Sequence, residues 1–110
     1  MRFTKLKNDI LGKEYSLSIA FVSENKSKEL NKKYRKKNRP TNVLSFSLRK
    51  NFGELVLCKP IIKSEAKKEG ITFDSWLGFL VIHGMLHLKG LNHGKIMEKE
   101  EKKYLSRTKF

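Results

Sequence analysis

The chain has 110 residues, 25 of them Lys or Arg and 11 Asp or Glu, for a net charge of +14, and 38% of its residues are hydrophobic. That length holds one modest core, and that hydrophobic share excludes a disordered polycation. The one cysteine, Cys58, excludes an internal disulfide framework and points to a reducing compartment.

The longest apolar stretch, residues 76–82, is far short of the roughly 20 residues of a membrane span. No apolar signal region follows the first five residues. The expectation is a soluble, cytoplasmic protein of one domain, residues 1–110, with no membrane partner. Its surplus of positive charge suits a polyanion, of which nucleic acid is the commonest in cells.

The first twelve residues show no decisive pattern. Residues 15–22 alternate apolar and small side chains, the period of a strand. Ser23, Glu24 and Asn25 offer helix N-caps, so a helix is expected over residues 26–37. Leu30 and Tyr34, four apart, are its anchors on that pattern. Asn38-Arg39-Pro40 ends it, because the residue before proline is pushed out of helical geometry. Residues 43–48 read as a second strand, Arg49-Lys50-Asn51 as a turn, and residues 54–58 as a third strand. Pro60 and Gly70 bracket a helix of about ten residues. Thr72 caps the next helix, residues 73–89, which is nearly all apolar and so is expected to be the central buried one, stopped by Gly90. A last, charged helix over residues 94–105 has Met97, Tyr104 and Leu105 as anchors. Mixed strands and helices give an α/β or α+β class. Trp76 and Phe79 are expected in the core rather than as base-stacking platforms, and Cys58 is expected to be buried. Glu100 and Glu101 are expected to pair with nearby lysines rather than reach a metal site.

All three histidines, His83, His87 and His93, fall in the window His-Gly-Met-Leu-His-Leu-Lys-Gly-Leu-Asn-His. Residues four apart on a helix share a face with Cβ atoms about 5–6 Å apart, so two imidazoles can converge on one ion. Gly90 permits the left-handed turn that returns the chain and brings His93 in as a third ligand. Three nitrogens leave one position of a tetrahedral zinc open, the catalytic arrangement. One Zn2+ per chain is expected. The spacing is also that of metzincin peptidases, but Gly84 stands where those enzymes carry the glutamate that takes the proton of bound water. With a charge of +14, this moves the expected substrate from peptide to phosphodiester.

At these residues the chain resembles the YbeY-type endoribonucleases, also called rRNA maturation factors. The family hallmark is His-Gly-x-Leu-His-Leu-x-Gly-x-Asp-His, matched by residues 83–93 except for Asn92 in place of the aspartate. A second signature is Leu-Asn-x-x-Tyr-Arg followed by Pro-Thr-Asp/Asn-Val-Leu-Ser-Phe. It is matched by residues 30–35 and 40–46. Gly53-Glu54-Leu55 is similar to a third, the Gly-Asp-Ile strand. The resemblance implies a small α+β zincin-like domain with a mixed sheet of three to four strands packed with helices. Its metal site would lie on and after the central buried helix. It implies zinc on His83, His87 and His93, and a functional role for Arg35. It implies cleavage of single-stranded RNA, with rRNA and the ribosomal small subunit or its proteins as partners, in rRNA maturation and ribosome quality control. Relative to the family the N-terminus is expected to be short, and Asn92 loses a carboxylate beside the third ligand. The alternatives are a non-catalytic, zinc-containing, ribosome-associated RNA-binding factor and, third, a metallopeptidase, disfavoured by Gly84.

Residues 26–39 hold eight basic residues and one acid, a local surplus of +7, half that of the whole chain. Lys32, Lys33, Arg35, Lys36, Lys37 and Arg39 are therefore candidate RNA-binding residues. Arg35 is also the candidate catalytic residue, because its planar fork can hold a phosphate bidentately and stabilise charge on the nonbridging oxygens.

Overall fold

A computed structural model describes residues 2–108 of the chain. They form α1 (Thr4–Leu11), β1 (Ser16–Val22), α2 (Glu24–Arg35), β2 (Val43–Arg49), β3 (Phe52–Cys58), α3 (Lys59–Glu69), α4 (Phe73–Lys89) and α5 (Lys95–Ser106). The sheet order is β1-β3-β2, with β1 parallel and β2 antiparallel to β3. This is the expected α+β class with a three-stranded mixed sheet.

Strand β3 takes the centre because Leu55, Val56, Leu57 and Cys58 are all buried, which only a strand covered on both faces tolerates. Its two neighbours are edges. Lys50 and Asn51 turn the chain from β2 into β3, with Asn51 at a φ of 58°, a value asparagine accepts more readily than most residues. The register slips between Ser47 and Arg49, so Leu48 is the extra residue of a bulge.

Helix α4 lies against the sheet as the main core element, with Leu77, Leu80, Val81, Ile82, Met85 and Leu86 buried. Thr72 Oγ1 caps it by accepting from Ser75 N, and Gly90, at a φ of 109°, closes it. Gly84 faces inward. A Cβ there would stand 2.7 Å from Leu55 Cδ2 and 3.1 Å from Ser45 Oγ, so glycine lets α4 approach β2 and β3 closely. Of the first twelve residues, left undecided by sequence, Thr4–Leu11 form α1, which buries Leu6 and Ile10 in the same core. Helix α5 buries Met97, Glu101 and Tyr104.

Helix α2 departs from expectation. It ends at Arg35, because Lys36 adopts the left-handed conformation at a φ of 59°, and its anchors are not Leu30 and Tyr34. Tyr34 is 55% exposed, while Ser27 and Asn31 are 2% and 1% exposed. The physical reason lies in the chain after the helix. Ser27 Oγ donates to Thr41 O at 2.7 Å and accepts from Thr41 N at 2.9 Å, and Asn31 Nδ2 donates to Arg39 O at 2.9 Å. Buried backbone groups of the connection to β2 need these partners more than the helix needs an apolar stripe.

Candidate functional site

The last two turns of α4 put His83 and His87 on one face, and the turn at Gly90 returns His93 to them. One ring nitrogen from each histidine lies within 4.8 Å of the other two, so the three can hold a metal ion. His83 Nδ1 stands 2.7 Å from Glu101 Oε2, and His87 Nδ1 stands 3.1 Å from Leu91 O. Both partners are acceptors, so both Nδ1 atoms carry the proton and donate. Each Nε2 of a neutral ring is then left with its lone pair.

The two Nε2 atoms are 3.1 Å apart. Facing lone pairs repel unless a cation lies between them. Two nitrogens on one tetrahedral zinc, each at about 2.0–2.1 Å, would be about 3.3 Å apart, so the donor set fits such an ion. The His87 pKa lies below the ordinary histidine value, first through burial, then through the charges of His83 and His93, and least through that of Arg35. This keeps the ring neutral, with its lone pair available.

Glu101 overturns an expectation. It is 8% exposed and hydrogen-bonded to His83, and no lysine among the described residues pairs with it. Glu100 does pair with a lysine, Lys103, at 3.8 Å. The signal for Glu101 was present in α5, where Met97, Glu101 and Tyr104 are spaced four and three apart on one face. A carboxylate on the buried stripe of a helix calls for a partner. Asn92, the departure from the family hallmark, is exposed, and the orienting acceptors are Glu101 and the Leu91 carbonyl.

The histidines line a cavity of about 260 Å³ with Arg35, Asn42 and Ser45. Trp76 and Phe79, stacked with centroids 5.1 Å apart, form its apolar wall. These two were expected in the core. They pack partly buried against it and wall the cavity as well. Trp76 Nε1 and Asn42 Nδ2 both donate to Glu65 Oε1 at 3.0 Å, which fixes that wall to the start of β2. Ser45 Oγ donates to Gly84 O at 3.2 Å and joins β2 to α4 below the histidines. Sequence reasoning did not single out Asn42, Ser45 or Glu65 as separate site residues. No local spacing relates them, since they meet only through the tertiary fold.

Of the basic segment, Arg35 alone lines this cavity. Lys32, Lys33, Lys36, Lys37 and Arg39 are exposed and do not line it. No carboxylate is among the lining residues described.

A three-histidine centre able to hold one ion, with an arginine facing it and no lining carboxylate, defines a hydrolase site suited to an anionic substrate. The family model for endoribonuclease YbeY matches residues 2–109. The endoribonuclease YbeY of Lactobacillus helveticus is 36% identical over 92% of this chain and 70% of its own length. That of Buchnera aphidicola is 40% identical over 79% of this chain and 61% of its own. That of Bacillus thuringiensis is 33% identical over 97% and 83%. A Thermotoga maritima protein solved in solution superposes with a TM-score of 0.69 at 34% identity, covering 96% of this chain and 77% of that one. The chain belongs to the endoribonuclease YbeY family, and its class is that of a hydrolase acting on RNA. It spans from 61% to 83% of the length of the three curated relatives named here. Among the described residues no single helix is long and apolar enough to cross a membrane.

Proposed function

We propose that the chain is a one-domain, zinc-dependent endoribonuclease that cuts single-stranded RNA in small-subunit rRNA maturation and ribosome quality control, in the cytoplasm. One observation carries the reading: three imidazoles and the Arg35 side chain line one cavity. His83, His87 and His93 are the ligands, since three imidazole nitrogens and an open fourth position suit catalytic zinc. A bound ion there supplies Lewis acidity and a more acidic water. Arg35 pairs with the nonbridging oxygens of the phosphate and stabilises the charge that grows on them. Glu101 and the Leu91 carbonyl hold two of the rings in the tautomer that presents Nε2. Lys32, Lys33, Lys36, Lys37 and Arg39 collect the RNA backbone by long-range charge.

A peptidase role is disfavoured on packing. Position 84, where a peptidase carries its proton acceptor, faces Leu55 and Ser45, and a Cβ there would already stand 2.7 Å from Leu55 Cδ2. A second reading, a non-catalytic, zinc-containing, ribosome-associated RNA-binding factor, draws support from the Glu101–His83 bond, which joins α5 to α4 and gives the cluster a structural use. Purified protein with single-stranded RNA, with and without chelator, beside Arg35→Ala separates the two. Chelator-sensitive cuts that fall at least tenfold in the variant support the enzyme. RNA binding without cuts supports the factor.

A further inference from the structure

A second groove, of about 450 Å³, follows β2 on the side of Tyr34, and the reaction outlined above leaves it without a use. Arg35 and Ser45 line both this groove and the histidine cavity, so the two are continuous at the arginine. We propose that the groove is a nucleobase subsite, in which the ring of Tyr34, supported by Phe46, stacks on the base of a nucleotide adjoining the phosphate held at Arg35. The subsite rests on the single-stranded RNA binding in the reading above, not on the cutting.

Three observations lead there. Tyr34 is 55% exposed on a helix whose buried face is Ser27 and Asn31, so the fold does not use its ring as an anchor. Its ring meets Phe46 edge to face, with centroids 5.0 Å apart and planes at 70°, which holds the tilt of an otherwise exposed platform. The bulge in β2 leaves Leu48 56% exposed in the same groove, an apolar neighbour for a flat ligand.

Charge selects the occupant. Lys33 Nζ lies 5.3 Å from the Tyr34 ring centre, and Lys32, Arg35 and Lys36 flank it in sequence, while no acid lines the groove. An apolar ring set among cations and open to a phosphate-binding arginine is the pairing used to hold single strands, where aromatic rings take the bases and cations take the backbone. Stacking tolerates any base, so the subsite gives affinity and register with little sequence preference.

The test uses the intact protein and short single-stranded RNAs in which 2-aminopurine is placed at each position in turn, read by stopped flow before cutting. The parent should quench one position strongly. Tyr34→Leu, apolar but not aromatic, should lose that quench and weaken binding about 5- to 150-fold, the range of one stacked base. Tyr34→Phe should retain both. Metal content and the unfolding midpoint check that each variant is folded, and Tyr34→Phe against Tyr34→Leu decides even if both are slightly destabilised. An RNA abasic at the quenched position should bind the parent and Tyr34→Leu equally. Undiminished quench and affinity in Tyr34→Leu would overturn the subsite and mark the groove as a surface for another kind of partner. Cutting is scored separately. Tyr34-dependent quench without cuts defeats the endoribonuclease reading alone, and cuts with a Tyr34-independent quench defeat the subsite alone.

Discussion

Two helices face the same cavity and are held in opposite ways. Helix α4 is fixed by apolar burial from Leu77 to Leu86, with His83 set within that stretch and His87 just past it. Helix α2 is largely exposed and is tied down by two buried polar residues that bond to the connection following it. The difference suits the roles proposed above. A metal ligand must hold its position to a few tenths of an ångström, and His83 and His87 ride on the most buried helix with their Nδ1 atoms bonded, while His93 follows in the turn. Groups that gather a polyanion act over a Debye length of about 8 Å, so they need exposure more than rigidity.

The sharpest way to break this comparison is to remove a ligand. His87→Ala should abolish stoichiometric zinc binding and reduce RNA cutting to background, with far-ultraviolet circular dichroism little changed. Removing zinc from the parent with a chelator should reproduce the loss, and restoring zinc should reverse it. Zinc retained at one per chain in His87→Ala would remove that residue from the ligand set.

Next in size is the residue that orients a ligand. Glu101→Ala leaves the His83 Nδ1–H without its acceptor, so zinc affinity should fall about 10–100-fold, the usual cost of losing such a partner. Glu101→Gln keeps an acceptor oxygen and should fall less. Competition with a chromophoric chelator measures both. Equal affinities for the parent and Glu101→Ala would mean that α4 alone orients the ring.

The helical histidine pair and its glycine turn were legible because they are local: His83, His87, Gly90 and His93 lie within one helix end and its turn. The strands, α3 and α4 were equally legible from period, caps and glycine stops. What escaped was tertiary. Glu101 belongs to a helix that meets α4 only in the folded chain, and its charge reads as surface until the stripe it shares with Met97 and Tyr104 is counted. Tyr34 misled for the reverse reason. An aromatic four residues from Leu30 fits an anchor pattern, but the buried stripe of α2 is set by the backbone groups at Arg39 and Thr41, which call for Asn31 and Ser27. Helix α1 went unrecognised because Phe3, at its N-cap, offers no side-chain cap bond, although Leu6 and Ile10 are four apart.

A smaller effect tests the fit beneath the histidines. Gly84→Ala gains about 1 kcal/mol of helix propensity and loses about 1–3 kcal/mol by overpacking. The added Cβ would press on Leu55, which is itself fully buried and has little room to retreat. The net should be a loss of stability, read as a lower urea midpoint at unchanged slope. A gain in stability would show that α4 can slide on β3 without cost.

The smallest effect lies on the exposed helix and sharpens the contrast most. Lys32 and Lys36 are solvent-facing and line neither the histidine cavity nor the groove beside Tyr34. If they neutralise phosphates, the plot of log K against log salt for single-stranded RNA has a slope of about −0.7 for each contact. Replacing both with Ala should flatten that slope by about 0.7–1.4 and weaken binding most at low salt. Zinc content and single-turnover cutting by the bound complex should stay as in the parent, because the lysines act before the phosphate reaches the metal centre. Arg35→Ala should do the reverse, cutting slowly once bound, since its pairing with phosphate strengthens as charge develops in the transition state. An unchanged salt slope in the double-lysine variant would take this surface out of RNA binding. A normal bound-state rate in Arg35→Ala would move that residue from the reacting phosphate to the gathering surface.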